Sequence, residues 1–432
     1  MVLIILFQVV NVSGQPPVLS TPQPAEFEQY GISGFSSQPA APVSPSFPYD
    51  NKIQRQNEFL MREALETERR RAAISRQHAL REQLKAITVS LPDFSAAPGT
   101  GYFHAARNEI QEMLEDKRQL SLKRAVFITE NAFFQERMRY EEFDVAIQNL
   151  KRICLLKMQE EKLDEHDNLA KLMMIFRILS EVVTVKEPGT EKQIIHHPVK
   201  YDFDDYRAED NQSNYMVSKL LSKNTGQCHS MPLLFLILAE EMDAEAFWCF
   251  SPSHSFIKIK DKQERWYNIE LTQASVVTDD FYMNSGFIKS KAIQSGIYLN
   301  PLTPRQAIAH LLNDLSFYYI SRYGNDRFVE ENCNQVLRYA PSDLTAYQIR
   351  ANVYTEQAMY VIDACGRPPE SILPEYPQAY NLFKQMLQSY EKIDSLGYEA
   401  MPAEMYRQWL NQLDKEKVLP QNQPSPVIQF KK

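Results

Sequence analysis

Cys228, His254 and Glu270 place a thiol, an imidazole and a carboxylate in order within residues 223–272. A cysteine attacks as its thiolate, so the first question is whether its surroundings lower its pKa. Cys228 follows the turn Asn224-Thr225-Gly226-Gln227 and stands just before the apolar run 233–239, too long and unbroken for a surface loop. That run reads as a buried helix. The first N–H groups of a helix are unpaired and carry partial positive charge, which favours a thiolate at its mouth. Pro232 fixes the start, because proline is tolerated only in a helix's first turn. Regular helix is therefore predicted to begin between His229 and Met231, with Cys228 at or just before its N-terminus.

Such a thiol needs a base within hydrogen-bond reach, oriented by a third group. Residues 254–259 and 266–270 are rich in aromatic and β-branched side chains and flank the polar turn 260–265, which predicts two strands of a hairpin. A hairpin centred near Lys262 sets His254 opposite Glu270. Asn268 shares that face and becomes the alternative orienter if the turn centre moves. The expected triad is Cys228 as nucleophile, His254 as general base and acid, and Glu270 or Asn268 holding the ring. The backbone N–H of Cys228 would meet an oxyanion, with Gln227 as a second donor.

The run Gly226-Gln227-Cys228 at the mouth of an apolar helix, a His opening a strand, and Trp266-Tyr267-Asn268-Ile269-Glu270-Leu271-Thr272 resemble the core of the transglutaminase-like superfamily of papain-type cysteine enzymes. The resemblance implies an α+β core in which a Cys-bearing helix packs on an antiparallel sheet. It also implies acyl transfer through a thioester, on a protein or peptide substrate with a peptide bond or glutamine carboxamide. Hydrolysis, deamidation and cross-linking all stay open. Two positions depart from the pattern: Glu270 stands where the family has Asp, and Leu271 where it has Pro. The alternative is a catalytically inactive scaffold that keeps this fold and binds protein partners through a helical arm.

The elements that must position these residues are read from the remaining 432-residue chain. Residues 1–10 are apolar and resemble part of a secretory signal, giving a signal-like segment over 1–14 and an expectation of export to an envelope, periplasmic or extracellular place, with the cytoplasm as the alternative. The decamer is too short to span a bilayer, which needs about 20 residues. Eight prolines among Ser, Gln and Ala make 15–50 an extended linker. Residues 51–190 form a helical region: 51–87 a charged helix with a thin apolar stripe, 101–187 a proline-free set of three or four packed helices. The acidic stretch 192–210, with His196 and His197, matches no metal-ligand spacing and reads as a solvated loop.

The core is assigned to 191–303. Residues 304–415 form an arm with helices over 304–323, 326–339, 344–359 and 380–396 and a shorter one near 405–413, followed by a tail at 416–432. Tyr347, Ala351 and Tyr354 loosely resemble a tetratricopeptide repeat, which implies that this arm is the protein-binding surface of the scaffold alternative. The net charge of −8 argues against nucleic-acid partners. Five scattered cysteines without a C-x-x-C pair indicate neither a disulfide framework nor structural zinc. No nucleotide, flavin, zinc-protease or serine-hydrolase motif occurs, so no cofactor is expected.

Overall fold

The computed structural model of the protein describes residues 51–190, 192–208, 211–284 and 287–418. The signal-like segment, the Pro-rich linker, Glu209, Asp210 and residues 419–432 lie outside them. The architecture is α+β and mainly helical, with three small sheets.

Two compact units divide the described residues, one of 92–356 with 385–418, the other of 51–91 with 357–384. The second contains α1 (Asn51–Lys85), whose apolar side chains Leu60, Leu65 and Ile74 are exposed. Within that unit Lys85 pairs with Glu375, and Gln378 makes two hydrogen bonds to the Val89 backbone, each 2.7 Å.

In the first unit, four helices follow: α2 (Thr100–Leu114), α3 (Leu122–Phe133), α4 (Tyr140–Glu160) and α5 (Asn168–Ser180). The helical expectation for this region ends there. Residues 183–186 and 193–196 form an antiparallel hairpin, β1 (Val183–Lys186) and β2 (Gln193–His196), so part of the expected solvated loop is strand. Val183 and Val185 alternate inward, a period of two that a helical reading hides. His196 is spent on the fold, its Nε2 lying 2.9 Å from the Ile178 carbonyl.

Next come β3 (Lys200–Tyr201), a 3-10 turn over 212–215, α6 (Val217–Lys223) and β4 (Thr225–Gly226), which pairs in parallel with β3. Glu130 of α3 caps α6: its carboxylate accepts the N–H groups of Val217 and Ser218 at 2.7 and 2.9 Å. The apolar run becomes α7 (Ser230–Glu241), with residues 230–239 all buried. Pro232 occupies its first turn, where no intrahelical N–H bond is lost.

A four-stranded antiparallel meander follows, β5 (Phe247–Ser251), β6 (His254–Lys260), β7 (Trp266–Glu270) and β8 (Ser275–Val277). Two of these strands were not foreseen. β6 is buried on both faces: Ile257 and Ile259 join the large core around α7, while Phe256 joins a smaller cluster with Tyr282 and Tyr298. The second face is covered by the short helices α8 (Asp279–Met283) and α9 (Ser290–Gln294).

The helices α10 (Pro304–Tyr323), α11 (Arg327–Tyr339), α12 (Leu344–Ala364), α13 (Pro377–Ser395) and α14 (Ala403–Val418) complete the order. Their limits follow the sequence closely, because the punctuation is chemical: a Thr303 capping box with Pro304 next to it, and an Asp326 side chain accepting the Phe328 N–H. Their grouping does not follow the expected boundaries. α10 carries buried residues on every side, among them Ile308, Leu312, Leu315 and Tyr319, and packs on α2, α3 and α11. The first part of the expected arm is thus interior to the first unit. No helix among the described residues is long and apolar enough to cross a membrane.

Candidate active site

Cys228 is half-buried at the mouth of α7, two residues before its first turn, with His229 as the capping residue. The loop carrying it is tied down on both sides. Gln227 Oε1 accepts the His229 N–H at 2.6 Å, and the Cys228 carbonyl accepts the Ser255 hydroxyl at 2.6 Å. Ser255 in turn accepts the indole N–H of the buried Trp248 at 3.0 Å. A chain of side-chain hydrogen bonds therefore fixes the Cys228 backbone against the first residues of β6.

His254 opens β6 and is 5% exposed. Its Nε2 lies 2.7 Å from Glu270 Oε2. The register that brings them together is not the one expected. Lys258 pairs with Asn268 and Ile257 with Ile269, so the hairpin is centred one residue later and Glu270 lies diagonally from His254. Diagonal partners have Cβ atoms roughly 7 Å apart, beyond easy reach of a short carboxylate. The extra methylene of Glu270 makes up that distance. Asn268, the alternative orienter, is turned to other work: its Nδ2 donates to Asp279 at 2.9 Å, beside the Lys258–Asp279 ion pair of 2.8 Å.

Glu270 is fixed as firmly as the ring it holds. Oε1 accepts the Thr272 N–H at 2.8 Å, and Oε2 accepts the Tyr282 hydroxyl at 2.9 Å. Tyr282 is itself stacked on Phe256, with ring centroids 3.9 Å apart and planes 14° from parallel. It was missed in the sequence, where nothing marks an aromatic of α8 as a partner of a strand carboxylate.

The electrostatics of the trio are those of an ion pair. Burial works against every charge here. For His254 it is outweighed by the Glu270 carboxylate and the Cys228 thiol, which carry the imidazole up to about 10. For Cys228 the penalty of burial is likewise outweighed, chiefly by hydrogen bonding to and positive charge on His254, and the thiol falls below its ordinary value. Glu270 is lowered too, burial being overcome by His254 and Thr272. The other ring nitrogen, His254 Nδ1, lacks a partner of full hydrogen-bond geometry.

Two aromatic residues of α14 complete the surroundings. Tyr406 Oη lies 3.5 Å from Cys228 Sγ, and the Trp409 ring stands edge-on to His254 with centroids 4.9 Å apart. No local feature ties these positions to a cysteine so far back in the chain; only their i, i+3 spacing, which puts both on one helix face, is legible.

Cys228 and His254 open on a cavity of about 390 Å³ whose wall includes Tyr206, Tyr298, Phe317 and Tyr406. Gln227, the expected second oxyanion donor, is fully buried and does not line it; its Nε2 has no hydrogen-bond partner. Two further acid–histidine contacts stand at the cavity, His229 with Asp314 at 2.9 Å and His310 with Asp343 at 2.6 Å. Among the described residues no group of three or more His, Cys, Asp or Glu is placed to hold a metal ion. Comparison with protein families, with curated proteins and with solved structures finds no match to this chain.

Proposed function

We propose that the protein is a transglutaminase-like cysteine acyl-transfer enzyme acting on a peptide bond or a glutamine carboxamide. One observation carries the reading: a thiol lowered in pKa beside an imidazole raised to about 10, which is locked at 2.7 Å to a buried carboxylate, at the wall of a cavity. Three groups whose environments push their pKa values apart in this sense are what nucleophilic catalysis requires, whereas a structural cysteine is raised by burial. Cys154, Cys249 and Cys333 behave in that second way, pushed up by their apolar surroundings.

In the proposed cycle the Cys228 thiolate attacks an acyl carbonyl, and the His254 imidazolium protonates the departing amine. A thioester remains on Sγ. His254, now neutral, takes a proton from water or an acceptor amine as it attacks, and the thioester is released as acid or new amide. Glu270 keeps the ring oriented and compensates its charge.

The pH dependence of iodoacetamide labelling at Cys228, resolved by peptide mapping, tests this. Labelling of the native protein should reach its plateau well below a free thiol's pKa of about 8.5. In His254→Ala the midpoint should rise above that value, because burial is then opposed only by the Tyr406 hydroxyl. An unshifted midpoint in both proteins would rule the reading out.

A further inference from the structure

We propose that Tyr406 is a catalytic residue of this site, its hydroxyl donating a hydrogen bond to the oxyanion formed when Cys228 attacks a carbonyl. The inference rests on the acyl-transfer reading and adds a group that the three strand and helix residues do not supply. Its Oη is 3.5 Å from Sγ, and an oxygen on the carbon under attack is only two bonds from that sulfur. Tyr406 also lines the cavity on which Cys228 and His254 open.

A donor helps a transition state most when it is held in place beforehand. Tyr406 is 5% exposed; its ring stacks on Trp409 at 5.7 Å and 30°, and touches Tyr206 at 5.7 Å. Trp409 also lies against His254, so one indole positions both the donor and the imidazole. Leu410, 2% exposed, anchors the same turn of α14. Burial and the neighbouring thiol push the Tyr406 phenol well above its ordinary value, which leaves it protonated wherever the thiolate forms. Of the other nearby side-chain donors, Ser255 Oγ bonds the Cys228 carbonyl, and neither Gln227 nor the buried phenol Tyr201, which lies beside both Cys228 and Tyr406, lines the cavity.

In the step itself, the Sγ lone pair forms the bond to carbon and the carbonyl π pair moves onto oxygen. The Tyr406 hydroxyl, bonded to the thiolate beforehand, shifts its hydrogen bond to that oxygen, and no proton leaves it. When the carbon–oxygen double bond reforms, the leaving group departs with its electron pair and takes a proton from His254.

Two reactions at the same sulfur separate this role from others. Alkylation by iodoacetamide is a direct displacement with no oxyanion, whereas acylation by p-nitrophenyl acetate passes through one. Both rates are measured on the pH plateau for the native chain and for Tyr406→Phe, with circular dichroism to confirm folding. The expected result is a loss of acylation on the order of 10²-fold, with alkylation little changed. Trp409→Leu, which keeps the hydroxyl but loosens its ring, should lower the same ratio by a smaller factor. If Tyr406→Phe speeds both reactions together, Tyr406 is a cover over the thiol and the proposal fails. If both slow by one factor, the hydroxyl acts only on the thiolate, and it fails again. A native Cys228 inert to both reagents overturns the acyl-transfer reading itself, a different outcome from either.

Discussion

At Cys228 two effects oppose each other, and the outcome depends on a contact made by a different residue. Burial disfavours a thiolate; the imidazolium beside it, itself sustained by Glu270, favours one more strongly. The reach of the carboxylate is therefore decisive. Because the strand register makes His254 and Glu270 diagonal partners, shortening the side chain should break the 2.7 Å contact. Glu270→Asp is expected to slow neutral-pH labelling of Cys228 by about 10–100-fold, the worth of a charge-assisted hydrogen bond of roughly 1.5–3 kcal/mol. Asn268→Ala should leave the labelling profile where it is, since Asn268 holds Asp279 instead. A Glu270→Asp protein that labelled as fast as the native chain would contradict the diagonal geometry.

Among elements, the link between α6, β4 and α7 sets where the thiol points. Gly226 sits where a Cβ would stand 2.5 Å from Leu220 Cδ1 and 2.8 Å from Ser230 Oγ. Leu220 is 2% exposed and cannot swing away, so the added methyl must move the backbone two residues before Cys228. Gly226→Ala should destabilise the protein by about 1–3 kcal/mol, as overpacking of a filled core does, read as a lower midpoint in urea. Plateau labelling of Cys228 should fall with it, because Ser230 also bonds the Gln227 N–H at 3.2 Å and would be displaced. The sheet shows the same dependence. β5 and β8 flank the two strands that carry His254 and Glu270, and α8 brings Tyr282 onto Glu270 and Asp279 onto Lys258.

At the scale of the molecule, the cavity wall is assembled from chain regions far apart in sequence, and buried polar contacts tie them together. Asp343 accepts His310 Nδ1 at 2.6 Å, the Asn313 amide at 3.1 Å and the Ala346 N–H at 2.8 Å, joining α10 to the start of α12. Burial would lower His310, but Asp343 outweighs it and raises the imidazole above its usual value. A raised histidine binds its proton more tightly when folded. Its contribution is complete below about pH 6.5, the unfolded value, and is lost as pH climbs through the higher folded one. Asp343→Asn should cost about 3–5 kcal/mol at pH 6, the penalty for stranding one member of a buried pair. The deficit relative to the native chain should narrow at alkaline pH, which denaturant titrations at several pH values would show.

The sequence by itself determined the local pieces: α7 from its apolar run and Pro232, β6 and β7 from their side-chain types, and α10 and α11 as the helices read over 304–323 and 326–339. It also singled out Cys228, His254 and Glu270 as the candidate trio, because a thiol, an imidazole and a carboxylate lie on adjoining elements whose order limits how far apart they fold. Tertiary structure decided what depends on distance through space. The hairpin's centre moved by one residue and its pairing therefore by two, which set Glu270 diagonal to His254, since register is fixed by packing on both faces of β6 rather than by the turn alone. Tyr282, Tyr406 and Trp409 came to the trio from helices whose own sequence patterns record only which face is apolar. An amphipathic face tells a helix that it must be covered, but not by what.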